Sequence, residues 1–306
     1  MKPLRRTPRA HQRSLSLAVA ALAAARHLLP GAAALPGARP TLEEIIGKSG
    51  SDKSFPGLVS STGDAHHGYA RYYEPFMERL RASPIRLLEI GVEKGRSLRV
   101  WQEYFANSDH VYGIGYGNFQ TIPKQPCDSA TATRVSGSAG KCTIYHGDQS
   151  DAQFLEHFAA DSGGKFDIVI DDGSHIPSHQ RISFTHLWPH VKPGGYYAIE
   201  DIETSYWSRD ASLYGYKLTS EHSVIGHFQK LIDTINREML GEAAPRLPEL
   251  YHDVSSVQFG LNVIILRKMT KEEKAVYYRR KYRFANKLQG PALGNSGEPQ
   301  ARAGAR

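Results

Sequence analysis

The sequence has few cysteines and no long apolar run. Only Cys127 and Cys142 occur among its 306 residues, so the chain is not a disulfide-rich scaffold, and their spacing does not fit a zinc site. The two could pair in an oxidising compartment, but as a sequence pattern they favour two unrelated thiols. No apolar stretch reaches the roughly 20 residues that a bilayer-spanning helix needs, so no transmembrane span is predicted.

Acidic residues are absent from the start of the chain. Residues 1–42 contain seven Lys and Arg and no Asp or Glu, which leaves 31 basic and 31 acidic residues in the remainder. The net charge of +7 therefore belongs entirely to the N-terminal segment. Since proteins that bind nucleic acids carry a basic surface on their folded domain, we predict no nucleic-acid partner.

Residues 1–40 resemble a targeting segment that is disordered or cleaved. A basic start is followed by an apolar stretch from Ser14 to Ala25 and then by small residues, as in a secretory signal peptide. An Arg-rich, acid-free start also fits a transit peptide for a plastid or mitochondrion. The sequence therefore predicts the secretory pathway or an organelle, and an ordinary disordered N-terminus is the third interpretation.

From Ile85 onward, short apolar runs alternate with helical patterns. Strands are predicted at 85–90, 110–114, 142–145, 166–170 and 196–199, with an antiparallel pair at 254–259 and 262–266. Helices are predicted at 97–105, 152–160, 178–191 and 221–240, and a long polar loop at 117–140. This alternation predicts a doubly wound, Rossmann-like α/β sheet, in which ligands bind beyond the carboxyl ends of the strands.

The other segments flank this sheet. A helical N-terminal extension is predicted over 41–84, the sheet domain over 85–267, a basic helix over 268–287 and a disordered tail over 288–306. The basic helix is interpreted as a solvated surface, with a membrane surface or a partner as the alternative.

Two short motifs follow predicted strands. In the first, Glu89 and Gly91 end a strand while Gly95 and Ser97 open a helix; glycine lets a ligand approach the backbone closely. The spacing G-x-x-x-G is not the dinucleotide pattern G-x-G-x-x-G, so an ordinary turn is an equal alternative. The second, Asp148-Gln149, could bind an adenine ring, or Asp148 or Ser150 could cap a helix.

Paired acids end two further strands. Asp171 and Asp172 end one strand, and Glu200 and Asp201 end the next. Because neighbouring parallel strands bring these ends together, the carboxylates would repel one another unless protons or a cation neutralise them. Oxygen ligands suit Mg²⁺, Mn²⁺ or Ca²⁺ better than zinc, while helix capping and surface acids are the alternative. His175, three residues after Asp172, can take a proton near neutral pH.

Together these motifs resemble a known family. The segments Leu-Glu-Ile-Gly-Val, Gly-Asp-Gln, Ile-Asp-Asp-Gly-Ser-His, Pro-Gly-Gly-Tyr and Glu-Asp-Ile-Glu-Thr-Ser-Tyr-Trp are similar to the macrolide sugar O-methyltransferases of the mycinamicin and macrocin type, which are class I S-adenosylmethionine-dependent methyltransferases. Ser51-Asp52-Lys53 and His66-x-x-Tyr69 also resemble the beginning of that family's domain. The similarity covers about residues 45–267.

The resemblance implies roles for these residues. S-Adenosylmethionine would be the cofactor, Mg²⁺ or Mn²⁺ the metal, and a small-molecule hydroxyl, of a sugar or polyol, the acceptor. Asp172, Glu200 and Asp201 would bind the metal, and His175 would be the general base. The cofactor would be held by Glu89, Gly91, Gly95, Ser97, Asp148, Gln149 and Asp171. A homo-oligomer is compatible with the sequence.

One position departs from the pattern. Methyltransferases usually end their second strand with an acid that binds the ribose, and Gly115 stands there instead. Asp128 or another loop residue could substitute. Two alternatives therefore stay open: an O-methyltransferase for phenols or catechols, and a non-catalytic binding protein that retains the fold.

Overall fold

The computed structural model describes residues 39–54, 67–117, 124–127, 141–207, 223–236 and 248–276. Contacts divide the chain into Met1–Thr41 and Leu42–Arg306, and the elements below belong to the second unit. The predicted targeting segment (apart from residues 39 and 40), Asp128 and the predicted tail lie outside the described residues. Within those residues, no helix is long and apolar enough to cross a membrane.

One eight-stranded mixed sheet forms the centre of the unit. Its strands are β1 (Arg86–Ile90), β2 (His110–Gly115), β3 (Lys124–Pro126), β4 (Lys141–His146), β5 (Phe166–Asp171), β6 (Val191–Glu200), β7 (Val254–Gly260) and β8 (Val263–Lys268). The spatial order is β3-β4-β2-β1-β5-β6-β8-β7. The five central strands are parallel to one another, and the pairs β3–β4, β6–β8 and β8–β7 are antiparallel. The predicted α/β fold is confirmed, and β3 is an additional strand within the predicted polar loop.

Seven α-helices are described in full, and an eighth begins at residue 271. They are α1 (Leu42–Ser49), α2 (Ala70–Leu80), α3 (Arg96–Tyr104), α4 (Ala152–Ser162), α5 (Pro177–Leu187), α6 (Val224–Gln229), α7 (Leu231–Ile235) and α8 (271–276). Single 3₁₀ turns span Trp188–His190, Ile202–Tyr206 and Glu249–Asp253.

Two predicted helices were wrong in extent. The helix predicted at 178–191 ends at Leu187, because Pro189 disfavours helical backbone at the residue before it. Pro193-Gly194-Gly195 therefore lies inside β6 rather than at a helix end. The helix predicted at 221–240 is two short helices, α6 and α7, on either side of Lys230.

Apolar side chains cover both faces of the sheet. On β1, Leu87 packs with the cluster that contains Tyr73 and Trp101, whereas its neighbour Leu88 packs with the cluster that contains Phe158. This alternation follows from the strand repeat of two residues, and burial on both faces explains the continuous apolar runs of the central strands. Helices α1 and α2, which belong to the predicted N-terminal extension, pack on the face of the sheet that contains Leu87.

Cys127 and Cys142 form a disulfide, so the interpretation as unrelated thiols was wrong. Cys142 lies on β4, and the antiparallel pairing of β3 with β4 places the two Cα atoms 5.3 Å apart. The three-residue strand that brings them together was not predictable from its polar sequence.

Candidate active site

A cleft of about 580 Å³ opens at the carboxyl ends of the parallel strands. This volume lies within the usual range for a small-molecule site. Six of the residues predicted from the sequence line it: Gly91, Asp148, Gln149, Asp172, His175 and Asp201. The cleft therefore lies beyond the strand ends, where the sequence predicts the site.

Gly91 allows β1 and β5 to end side by side. Its φ is +103°, and a Cβ added there would lie 1.8 Å from the carbonyl oxygen of Asp172. The amide of Asp172 donates to the carbonyl of Ile90 at 3.0 Å. Only glycine fits this close crossing of two backbones, which is a second reason for the glycine in the first motif.

Three side chains converge at the edge of the cleft. Asp172, His175 and Asp201 each offer a ligand atom, and these atoms lie within 4.8 Å of one another. The Nδ1 atom of His175 is buried without a hydrogen-bond partner and lies 3.6 Å from Oδ2 of Asp201. A divalent cation would offset the repulsion between the two carboxylates, whose oxygens suit Mg²⁺ or Mn²⁺. These donors therefore fit the metal that the sequence predicts.

Two members of this group have unusual backbone conformations. His175 has a φ of +57° and Asp201 a φ of +52°, in the left-handed region that residues other than glycine rarely adopt. Such conformations persist where the surrounding structure imposes them and are concentrated at functional sites. Their presence at two members of one side-chain cluster supports a functional interpretation of the cluster.

Glu200, the third predicted metal ligand, is held by a lysine and a tyrosine. Its Oε2 atom lies 2.5 Å from Nζ of Lys53, and its Oε1 accepts a hydrogen bond from the hydroxyl of Tyr73. The side chain is buried, and both of its oxygens have protein partners. The role of Glu200 as a metal ligand stays a prediction.

Lys53 contacts the predicted acids but was given no role by the sequence. Its buried ammonium lies 2.5 Å from both Asp172 and Glu200 and 3.7 Å from Glu89. Burial alone would lower the pKa of Lys53, but these carboxylates raise it well above its usual range. Lys53 is therefore a fixed internal cation. The only signal was its place in the segment Ser51-Asp52-Lys53, which carried the resemblance without an assigned role.

Asp201 is held from the opposite side. Its Oδ1 atom accepts hydrogen bonds from the hydroxyl of Tyr69 at 2.5 Å and from Nδ2 of Asn262 at 2.9 Å. Burial and the nearby acids raise the pKa of Tyr69 far above its usual value, so its hydroxyl stays protonated and donates. Tyr69 belongs to the predicted motif, whereas Asn262 had no signal beyond its place at the start of the strand predicted at 262–266, and it lies in the turn before that strand.

Asp148 and Gln149, which are predicted to hold the cofactor, line the cleft. The Gln149 amide donates to Asp171 at 3.1 Å and accepts from the amide of Ser174 at 2.5 Å. Asp148 accepts from the amide and the hydroxyl of Ser150. The cap of α4 is Asp151, so the alternative reading of Asp148 or Ser150 as the helix cap was wrong.

Four predicted cofactor residues lie outside the cleft lining. Glu89 is fully buried and accepts from Ser97 Oγ at 2.6 Å, and Gly95 caps α3 with a φ of +65°. Burial, opposed by Lys53, raises the pKa of Glu89 to about 7. Burial also raises the pKa of Asp171 to about 6. These residues support the wall of the cleft, and their contact with a cofactor stays a prediction.

Gly115 ends β2 opposite His146 of β4. A Cβ added at Gly115 would lie 3.3 Å from Nδ1 of His146, so an imidazole lies beside the position of the usual acid.

Comparisons with known proteins support the resemblance. Residues 88–202 match the family described as "Methyltransferase domain". The chain is 34% identical to the mycinamicin VI 2''-O-methyltransferase of Micromonospora griseorubida over 213 residues, covering 64% of this chain and 49% of the relative. It is 32% identical to the demethylmacrocin O-methyltransferase of Streptomyces fradiae over 216 residues, covering 64% and 49%. The chain thus spans about half the length of these curated relatives.

The fold is also similar to solved structures. The MycE methyltransferase from the mycinamycin biosynthetic pathway, in complex with Mg and SAH, aligns with a TM-score of 0.61 at 30% identity, covering 77% of this chain and 56% of that one. A complex of MycE with Mg, SAH and mycinamycin VI aligns with a TM-score of 0.60 at 29% identity, covering 77% and 55%. The predicted resemblance is confirmed: residues 88–202 match the methyltransferase-domain family, and the chain is similar to the macrolide sugar O-methyltransferases.

Proposed function

We propose that the protein is an S-adenosylmethionine- and divalent-metal-dependent O-methyltransferase that acts on a hydroxyl group of a sugar or polyol. One observation carries the proposal: Asp172, His175 and Asp201 converge at the edge of a cleft large enough for a small-molecule ligand. The similarity to MycE, which was solved with Mg and SAH, agrees with this choice of cofactor and metal.

Asp172 and Asp201 would hold the metal, with His175 beside them. When bound, the cation would hold the acceptor oxygen and lower the pKa of its hydroxyl. The protein itself orients the two carboxylates, through Lys53 on Asp172 and through Tyr69 on Asp201. Orientation of acceptor and methyl donor in one cleft makes the transfer effectively intramolecular.

His175 would take the proton. The cofactor would supply the methyl group and leave as S-adenosylhomocysteine, while the imidazole of His175 would accept the proton that the acceptor hydroxyl loses. Asp201 lies 3.6 Å from Nδ1 of His175, so its charge stabilises the imidazolium that forms. A positioned base contributes on the order of 10²- to 10⁴-fold to the rate.

The first test is calorimetric titration of the full chain with S-adenosylmethionine, with and without Mg²⁺. We expect binding, followed by turnover on a panel of sugars and catechols that EDTA abolishes. Turnover on catechols alone would change the acceptor class. Absence of cofactor binding under both conditions would favour the non-catalytic alternative, for which Gly115 is the supporting feature.

The base has its own test. His175→Ala should lower turnover by about 10²- to 10⁴-fold while cofactor binding and Mg²⁺ affinity stay unchanged. Turnover like that of the wild type would contradict the assignment. A large loss of Mg²⁺ affinity would instead make His175 a metal ligand, which its place beside Asp172 and Asp201 also allows.

We also propose that the chain matures in an oxidising compartment, the secretory pathway being the leading choice. The disulfide between Cys127 and Cys142 supports this choice, because such bonds are rare where thiols are kept reduced. Alkylation of the two thiols in cell extracts tests it: unmodified cysteines in freshly lysed cells support the proposal, and fully alkylated ones contradict it.

A further inference from the structure

The turn between β7 and β8 reaches the candidate metal site. Gly260 pairs with Val263, so Leu261 and Asn262 form a two-residue turn. Asn262 has a φ of +63°, a conformation that glycine supplies most readily and asparagine tolerates. The turn alone would accept glycine, so a side chain at this position invites a second explanation.

Both polar atoms of the Asn262 side-chain amide have hydrogen-bond partners. Its Nδ2 donates to Oδ1 of Asp201 and to the hydroxyl of Tyr69, both at 2.9 Å. Its Oδ1 accepts from the backbone amide of Glu203 at 2.8 Å. One side chain therefore fixes both the Asp201 carboxylate and the backbone two residues beyond it.

The two oxygens of Asp201 consequently have different surroundings. Oδ1 receives hydrogen bonds from Tyr69 and Asn262, whereas Oδ2 lies on the side of His175, 3.6 Å from its Nδ1. The hydrogen bonds to Oδ1 restrict rotation of the Asp201 carboxylate and so help to set the direction of Oδ2.

We infer that Asn262 is a positioning residue, which holds Asp201 so that Oδ2 faces Asp172 and His175 and can bind the metal. Asn262 acts through Asp201 and need not touch cofactor or acceptor. The inference rests on the proposed function, since it concerns the metal of that function. Residues that hydrogen-bond to metal ligands fix ligand direction, and their loss costs about 10- to 100-fold in metal affinity.

The test compares two glycine variants of one turn. Asn262→Gly keeps the left-handed backbone and removes the amide, while Leu261→Gly removes an exposed neighbour and matches the gain in chain flexibility. Titration calorimetry of the full chain with Mn²⁺, and separately with S-adenosylmethionine, measures both affinities. We expect Asn262→Gly to weaken Mn²⁺ binding about 10- to 100-fold with unchanged cofactor affinity, and Leu261→Gly to leave both unchanged.

Tyr69→Phe provides a second variant, because it removes the other hydrogen bond to Oδ1 and keeps the aromatic ring. It should also weaken Mn²⁺ binding, and the double variant should lose less than the two single losses combined, since both groups hold one oxygen. Unchanged Mn²⁺ affinity in both Asn262→Gly and Tyr69→Phe would overturn this inference but leave the proposed function standing. Absence of Mn²⁺ binding in the wild type would overturn the metal-dependent function, and this inference with it.

Discussion

The two ends of the parallel strands differ in charge balance. At the amino ends basic side chains pair with acids, whereas at the carboxyl ends several acids surround one lysine. At the amino ends, Arg86 lies 3.3 Å from Asp109 and donates to the carbonyl of Gly164, and Lys192 lies 2.7 Å from Asp167. These pairs balance in charge and lie partly in solvent. They join strands and loops without leaving a charge unmatched.

The carboxyl ends have the opposite arrangement. Glu89, Asp172 and Glu200 lie around a single buried lysine, Lys53, and Asp201 lies close to Asp172. Burying carboxylates without an equal number of cations is costly. The paired charges at the amino ends therefore serve the fold, whereas the excess acids at the carboxyl ends require a bound cation or protons. Four predictions, in order of expected effect, test this difference.

The largest effect is expected at Gly91. A Cβ there would overlap the carbonyl oxygen of Asp172 at 1.8 Å, so Gly91→Ala should cost more than about 5 kcal/mol or prevent folding. Gly50→Ala is the matched control, because Gly50 also has a positive φ, +71°, but has no atom within 4 Å of the added Cβ. It should cost only about 1–2 kcal/mol, for the left-handed backbone. Urea denaturation of both variants measures the difference, and equal losses would contradict the steric argument.

Removal of the internal cation should have the next largest effect. Lys53→Met leaves the buried Glu200 and the half-buried Asp172 without their counter-charge, which costs about 3–5 kcal/mol. The loss should be greater at pH 8 than at pH 5, because protonation of the acids relieves it. Lys192→Met, at the other end of the strands, removes a partly exposed pair worth about 1 kcal/mol or less. Equal costs in thermal unfolding would remove the distinction between the two ends.

The disulfide should contribute to stability but not to the cleft. It closes a segment of 15 residues, which corresponds to about 3 kcal/mol through restriction of the unfolded chain. The double variant Cys127→Ala, Cys142→Ala should therefore unfold at a lower temperature and still bind S-adenosylmethionine with normal affinity. Loss of cofactor affinity in the folded variant would show that β3 and its bridge shape the cleft.

The smallest effect concerns pH. Burial raises the pKa of Glu89 from 4.5 to about 7, so the folded state retains a proton that the unfolded state releases. The free energy of unfolding should then fall as the pH rises between about 4.5 and 7. Glu89→Gln should flatten this fall by roughly 1–3 kcal/mol, whereas Asp109→Asn, at the exposed amino-end pair, should not. Parallel pH curves for wild type and Glu89→Gln would contradict the shift.

The sequence predicted the fold well where local pattern decides it. Apolar runs as short as that of β1 were sufficient to place the central strands, since their side chains are buried on both faces. β3 was missed because it is three residues long and lies in a polar stretch, and the disulfide was missed with it. The helix predicted at 221–240 failed because amphipathic periodicity does not indicate where a helix breaks.

The site was predictable only in part. Asp172, His175 and Asp201 could be named because they follow strands directly, and parallel strands bring their ends together. Lys53 and Asn262 reach the same place from a loop and a distant turn, so no spacing in the sequence links them to the acids. Which of the predicted acids face solvent and which support the wall, as Glu89 does, depends on side-chain direction.

The contacts of Lys53 have a consequence for folding. It lies 119 residues before Asp172 and 147 before Glu200, so these ion pairs close some of the longest loops in the described chain. Contacts of such sequence separation form slowly, because chain entropy is lost before they contribute. The acids cannot be buried favourably until the N-terminal extension docks. We therefore expect the strands to assemble before the candidate site does, so under the proposed function Mn²⁺ binding would report the last folding step.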